Sequence, residues 1–549
     1  MKRAQRSTSV VEGLRANEPV AAPSLRLTAL AAALAAMGMS GEAGAGSLDF
    51  GSNTSMQYTV TLNYALGLRL SDPNNALTNG PVSAATGLPA TVNADDGDRN
   101  FRSGSLINNR ISARLEADLR HDNYGVFVRG DGFYDQAYHH PNDNDSPSTV
   151  NKAGPNTRFS DDARYFQGNR ARLLDAYAYG EWRLAGSDLN VRFGRQVVGW
   201  GESLFFPNIA GAQGPADATR ANVPGTEVKD ILLPVNQAMA TLAVSRDLTL
   251  LGYYQLQYRP TELDPVGDYF SYTDVVGPGA EFIRAFAVAP GVSYNIPSTG
   301  EHRPSDFGQY GLGLRYNLGV TELGFYQLRY HDKNPSVFTN YGLVGGTPLP
   351  VSYDIRYVDG IDLTGVSLSS SIGPVNVAGE VSYKNGVPLL VNTLAGPAAM
   401  PGKATQAQAS AIYIVGPSVL AREIDLVGEV GYLHVNGVEG ASTDSLSNSR
   451  NAWAYEGTAT FNYPNVFNGW DLAVPLSWAH AVTGNAAVAG AFGSLVGHGD
   501  QRASVGLTFT YLSRLEVATS YNAFLGSANP VTHPLADRDY VALNLKYRF

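Results

Sequence analysis

Segments in which apolar and polar side chains alternate recur from Tyr58 to Phe549, and the connections between them are of two kinds. Very short turns, His121-Asp122-Asn123, Ser245-Arg246-Asp247 and Leu512-Ser513, alternate with long polar stretches at 71–104, 135–168, 259–308, 331–353 and 481–500. Period-two alternation predicts strands with one buried face. A soluble sandwich alternates too, so the connections decide between the two. Loops of roughly 30 to 50 residues fit poorly in a compact soluble domain, where the median connection is about five residues. A membrane barrel places tight turns at one rim and long loops at the other. From Ser47 onward no apolar run approaches the roughly 20 residues of a membrane helix, so any crossing is made by strands.

The expected fold is therefore all-β: a transmembrane outer-membrane barrel of about eighteen antiparallel strands, with sixteen as the alternative and long loops outside. Eighteen is reached by reading Ala407 to Val415, the turn Gly416-Pro417-Ser418 and Leu420 to Gly431 as a hairpin, which puts both chain ends on the same side. Tyr254, Tyr258, Tyr326 and Tyr330 sit at strand ends and suit an interfacial aromatic girdle. The C-terminal strand alternates Val541, Leu543, Leu545, Tyr547 and Phe549 on one face with Asn544, Lys546 and Arg548 on the other. In lipid that strand must pair, because an open edge leaves backbone groups unsatisfied. The terminal Phe resembles the outer-membrane assembly signal.

Composition supports the same reading. Charged residues make up only 16% of the 549 residues, against 59 Gly, 30 Tyr and no Cys. Lack of Cys excludes disulfides, a thiolate nucleophile and Cys-ligated metals, and suits passage through an oxidising periplasm. The net charge of −10 argues against a nucleic-acid partner. Lys2, Arg3, Arg6, Arg15 and Arg26 precede the small apolar run Leu27 to Met37, and Ala43-Gly44-Ala45 has a small-x-small cleavage pattern. Residues 1–45 are accordingly expected to be a signal peptide, and 46–549 a single barrel domain in the outer membrane of a Gram-negative bacterium.

The segment Gln196-Val197-Val198-Gly199-Trp200-Gly201-Glu202-Ser203 resembles the Gln-Val-x-x-Trp-Gly-Glu-Ser signature of a proteobacterial outer-membrane family catalogued as domain of unknown function 1302. Pro224 to Lys229, Leu233-Pro234-Val235 and Thr261 to Ser271 look like further blocks of that family in the same order. The resemblance implies a barrel often associated with export and uptake machinery for lipids and other hydrophobes. It brings no agreed substrate.

The connection 199–236 is rich in Gly and Pro and brackets a short amphipathic piece, Glu227 to Leu233, with Val228, Ile231 and Leu232 on one face. Such a loop either folds into the lumen as a constriction or caps the barrel from outside. In the first case Trp200, Glu202, Phe205, Arg220, Glu227, Lys229, Asp230, Ile231 and Leu232 would line the path. Alternation also predicts lumen charges at Arg110, Glu116, Asp118, Arg129, Asp131, Arg172 and Arg192, since a charge facing lipid costs about 2–4 kcal/mol at midplane. These charges would either orient solutes or pair as structural groups. The run Asn93 to Asp98, with Asp143, Asn144 and Asp145, is dense in oxygen donors, yet neither stretch has calcium-loop spacing, and His139-His140 stands isolated. No metal ligand set and no cofactor is read from the sequence.

The leading functional expectation is a channel passing hydrophobic or amphiphilic small molecules, namely lipids, fatty acids, sterols or aromatic compounds, a substrate bias implied by the resemblance alone. The alternative is a structural or export component docking a periplasmic or inner-membrane transport system. An outer-membrane lipid hydrolase is the third reading, but no G-x-S-x-G nucleophile pattern follows the leader, and a non-enzyme is expected. Expected partners are outer-membrane lipids and lipopolysaccharide, the barrel-assembly machinery, and periplasmic lipid-handling or inner-membrane transport proteins.

Overall fold

A computed structural model describes residues 46–393 and 396–549. The leader expected at 1–45 lies outside the described residues. Eighteen antiparallel strands close into a barrel. In order they are Thr54–Arg69, Leu106–His121, Tyr124–Asp135, Asn169–Leu184, Ser187–Gln196, Val235–Ala243, Leu248–Gln255, Tyr310–Leu318 and Thr321–Tyr330. The circuit continues through Ile361–Ile372, Val375–Thr393, Gly396–Val415, Glu423–Val438, Asn451–Phe467, Trp470–Thr483, Gln501–Tyr511, Leu515–Leu525 and Tyr540–Arg548. Each strand pairs with its predecessor, and the last closes on the first, with Thr61 opposite Arg548 and Arg69 opposite Tyr540. Closure leaves no edge, the condition for strands in hydrocarbon. The short strand Gly46–Asp49 adds to the lower end of Thr54–Arg69.

Side-chain alternation sorts the wall into two faces. On Leu106–His121, Arg110, Arg114, Glu116 and Asp118 share one face, while Ile111 and Leu119 on the other are exposed. On the closing strand Leu543, Leu545 and Tyr547 are exposed, and Asn544 and Lys546 are buried within. The exposed face continues through Leu62, Val126, Leu250, Leu312, Phe325, Val366, Leu426 and Val505. This apolar outer band, around a closed barrel with tight turns at one rim and long loops at the other, places the protein in the outer membrane. No described helix is long and apolar enough to cross a membrane.

Two sequence expectations change. Of the four tyrosines expected in a girdle, only Tyr254 is exposed; Tyr258, Tyr326 and Tyr330 are buried, packed inside by aromatic and aliphatic neighbours. The connections 259–308 and 331–353 are not simple loops. They carry Phe282–Ala289, Val292–His302, Ser336–Val344 and Thr347–Arg356, which join into a separate four-stranded sheet with a parallel central pair. Tyr258, Ile296, Tyr353, Ile355 and Tyr357 form its apolar core.

Candidate functional site

The segment 197–234 joins Ser187–Gln196 to Val235–Ala243 and makes two sets of contacts with the inner face of the wall. The first set begins at Trp200-Gly201-Glu202. Gly201 has φ +105°, a conformation costly for any residue with a Cβ, and a Cβ there would lie 2.4 Å from Glu380 Oε2. The turn brings successive backbone N–H groups onto two wall carboxylates. Glu380 accepts from the N–H of Glu202 (2.6 Å) and Ile209 (3.1 Å). Glu429 accepts from the N–H of Leu204 (3.1 Å), Phe205 (2.6 Å) and Phe206 (2.8 Å). Gln408 and Gln406 donate to the carbonyls of Phe206 and Pro207. Backbone hydrogen bonds to an ionised acceptor are among the stronger ones. Both glutamates are nearly fully buried, so these donors satisfy oxygens that would otherwise be costly to bury.

Around this turn, Trp200 packs between Tyr253 and Tyr326, with ring centroids 5.0 and 6.1 Å away. Phe206 meets Phe492 edge-on at 5.5 Å. Val198, Phe206, Ile209 and Ala212 join an apolar cluster with Leu328, Leu363, Leu389, Leu433 and Val435 from the wall and Ala487, Ala491 and Phe492 from the connection 484–500. Trp200 is only 4% exposed and Phe205 is packed against the same cluster. Trp200 therefore does not line open space as expected, because its ring fills the core that holds the turn down, while Phe205 is partly buried at the edge of that core.

The second set of contacts is ionic. Arg114 pairs with Asp230 (2.7 Å) and Glu227 (3.0 Å). Lys546 and Arg548 reach Glu227 at 3.4 and 2.9 Å, and Lys229 reaches Glu116 at 3.0 Å. Arg172 bridges Asp131 (2.9 Å) and Asp217 (2.6 Å), and Arg220 pairs with Asp131. Arg129 pairs with Asp175 (2.6 Å) and donates to the Lys229 carbonyl (2.8 Å). Burial alone would raise Glu227, but Arg114, Lys546 and Lys229 outweigh it and hold its carboxyl down to about 2. Glu262, in the connection 256–309, is likewise held down to about 2, as Arg170 and Arg259 overcome its burial. The wall strands supplying most of the two sets, Val375–Thr393 to Glu423–Val438 and Leu106–His121 to Asn169–Leu184, lie half-way round the barrel from each other, and Lys546 and Arg548 come from the closing strand Tyr540–Arg548.

The expected lumen charges thus divide. Arg110 is fully buried on Asp135 and Gln167, and Arg129, Asp131 and Arg172 are buried in the ion pairs above. Arg220 is also buried, its guanidinium 4.7 Å from the Phe133 ring. These five fasten loops to the wall rather than face a path, because each is buried in a pairing with a neighbouring charged or polar group. Glu116 takes Lys229, Asp118 accepts from Tyr179 (2.8 Å), and Arg192 lies 5.6 Å from the Tyr177 ring. Asp230 is a nearly buried clamp, whereas Glu202 and Ile231 are half-buried and Leu232 is exposed. Glu380 and Glu429 escaped sequence reading; each shares the inner face of its strand with another charged residue, Lys384 and Asp425, and nothing local marks it as the acceptor for a distant loop. Asp143 and Asp145 serve Arg102 and Ser105 locally.

The blocks that carry the family resemblance are thus the docking points. Gln196 to Ser203 makes the turn, and Gly225, at φ +80°, lies against the Asn544 side chain. Glu227 and Asp230 hold the basic wall, and Glu262 holds Arg170 and Arg259 at 2.6 and 2.7 Å. An eighteen-stranded barrel encloses a lumen, and the segment 197–234 is fastened inside it.

No curated protein matches the chain. Among solved structures, Acinetobacter baumannii OccAB1 is similar over 92% of this chain and 99% of its own, at 9% identity and a TM-score of 0.43. Pseudomonas aeruginosa OpdK, solved with vanillate, is similar over 90% of this chain and 98% of its own, at 11% identity and a TM-score of 0.40. For the outer membrane channel DcaP of Acinetobacter baumannii the shares are 91% and 99%, at 9% identity and a TM-score of 0.37. The family described as protein of unknown function (DUF1302) matches residues 26–549. The chain, matched over nearly its whole length, belongs to the DUF1302 family.

Proposed function

We propose that the protein is a constricted outer-membrane channel for small amphiphilic molecules, with the segment 197–234 as its constriction. One observation carries the reading: the segment has two kinds of surface. Its buried side chains and backbone fasten it to opposed walls, while Val228 and Leu232 stay 72% and 41% exposed next to the half-exposed Lys229, and Leu204, at the other anchor, stays 44% exposed. A solute passing these residues meets apolar side chains and a charge within one helical turn, Val228–Ile231. Such a mixed lining suits a molecule with an apolar body and a polar end. The choice among lipid, fatty acid, sterol and aromatic compound rests on the family resemblance.

The test is a swelling assay on liposomes containing the purified protein, comparing an aromatic carboxylate with a sugar of similar mass. The aromatic solute is expected to enter faster, and Val228→Asp with Leu232→Asp to lower that preference about threefold or more, while ionic conductance persists. Equal entry of both solutes would replace this reading with that of a general porin. Absence of swelling and conductance, with co-purification of inner-membrane transport proteins, would favour an export component.

A further inference from the structure

The long connections 70–105, 136–168 and 256–309 meet above the barrel, and three carboxylates come together where they meet. Asp95 and Asp96 stand in the first and Asp274 in the third; they are 0%, 2% and 1% exposed, and offer ligand atoms within 4.8 Å of one another. One oxygen of each is already used. Asp95 Oδ2 accepts from Arg99 Nε (2.5 Å), Asp96 Oδ2 from the Asn151 N–H (3.0 Å), and Asp274 Oδ2 from the Asp96 N–H (3.3 Å). The Oδ1 atom of each is buried without a hydrogen-bond partner.

Asn151 supplies an independent sign of a ligand. Its Nδ2 donates to Asn93 Oδ1 (2.7 Å) and to the Phe282 carbonyl (3.2 Å), which fixes the orientation of the amide. Its remaining side-chain atom, the carbonyl oxygen Oδ1, is buried and unpartnered, on a fully buried residue whose N–H already binds Asp96. Four buried acceptor oxygens with no donor are a costly arrangement unless something positive joins them. Among the described ion pairs only Arg99 reaches the trio. The Arg284 guanidinium is taken by the carbonyls of Thr149 and Val150 and by Ser293, and Lys152 Nζ by the Pro155 carbonyl. The approach of the loops is fixed by backbone packing: a Cβ on Gly97 would lie 2.4 Å from the Asp268 carbonyl oxygen and 2.6 Å from that of Ser271.

We propose that Asp95, Asp96, Asp274 and Asn151 form a site for a hard divalent cation of the calcium class, which ties three external loops together. An all-oxygen donor set of carboxylates and an amide carbonyl matches that class, and water completes the six to eight ligands calcium takes. The sequence could not show the set, because Asp274 lies 178 positions from Asp96.

The experiment titrates calcium chloride into chelator-stripped, detergent-purified protein by isothermal calorimetry, with magnesium chloride as comparison. About one calcium per chain is expected, with magnesium weaker, and Asp274→Asn or Asp96→Asn weakening calcium about tenfold or more. A shift in gel mobility between the unheated and the boiled protein shows that each variant barrel is folded. Thermal unfolding with and without calcium gives a second readout, a higher midpoint expected only for the protein with all four ligands. Absence of calcium binding by the stripped protein, or undiminished binding by folded Asp274→Asn and Asp96→Asn, overturns the proposal. So does a metal-free Asp274→Asn protein as stable as the calcium-loaded parent, which would mark a trio that shares protons instead.

Discussion

Glu227 gathers more charge than any other side chain of the segment 197–234, taking Arg114, Arg548, Lys546 and Lys229 within 3.5 Å. Its carboxyl is held down to about 2 from an ordinary 4.5, by Arg114 first among the charges that overcome its burial. A folded value below the unfolded one means that ionised Glu227 stabilises the docked segment fully above about pH 4.5, and that the contribution fades as pH falls toward 2. Single-channel conductance is therefore expected to be the same at pH 4 as at pH 7 in this respect, with a change only nearer pH 2, whereas Glu227→Gln should show the altered conductance already at neutral pH. A transition centred near pH 4.5 that Glu227→Gln abolishes would contradict the ion-pair account. At this scale the sequence was informative about which residues matter and less so about what they do. Trp200 and Arg220 were recognisable from their motif and position, but a side chain that closes a core and one that lines a path look alike until the partners, Tyr253 and Asp131, are known.

Among the elements, the turn at Trp200 to Ile209 is held in an uncommon way: five loop N–H groups converge on two wall carboxylates, Glu380 and Glu429. Removing Glu429 leaves the N–H groups of Leu204, Phe205 and Phe206 without their acceptor, and each buried unpaired donor costs about 1–3 kcal/mol. Glu429→Ala is thus expected to loosen the segment and raise open-channel noise or conductance about twofold, with Glu429→Gln milder because its amide oxygen still accepts. Unchanged conductance in Glu429→Ala would mean that the apolar cluster around Phe206 and Ile209 holds the turn by itself. The strands on either side were legible because their period of two is local. The four-stranded sheet over 282–356 was not, since its central pairing joins Val292–His302 to Thr347–Arg356 across an intervening barrel hairpin. Long-range pairing of that kind leaves no periodic trace beyond ordinary loop composition.

Over the whole molecule, one wall presents buried glutamates to loop N–H groups and the opposed wall meets the loop through ion pairs of both senses, so the segment between them is held by backbone donors at one end and by ion pairs at the other. That arrangement depends on the barrel being closed in a single register, since a slip of one residue would turn Asn544 and Lys546 out to lipid and Leu543 and Leu545 inward. The closing strand is where the register is set: Tyr540–Arg548 pairs on one side with Leu515–Leu525 and on the other with Thr54–Arg69. Its alternation was readable at once from the last ten residues, because hydrocarbon outside and packed polar groups inside demand opposite chemistry from neighbouring positions. Leu543 is exposed on the outer face, opposite Leu66 and Thr519. Leu543→Arg is expected to lower barrel stability by about 2–4 kcal/mol, the cost of a guanidinium facing lipid near the midplane. Reversible unfolding from lipid vesicles measures it directly. Unchanged stability would place Leu543 at the membrane interface and shift the apolar band along the barrel axis. A loss well above that range would mean that the substitution also breaks the seam to Thr54–Arg69, in which case the folded, heat-resistant form should disappear from gels as well.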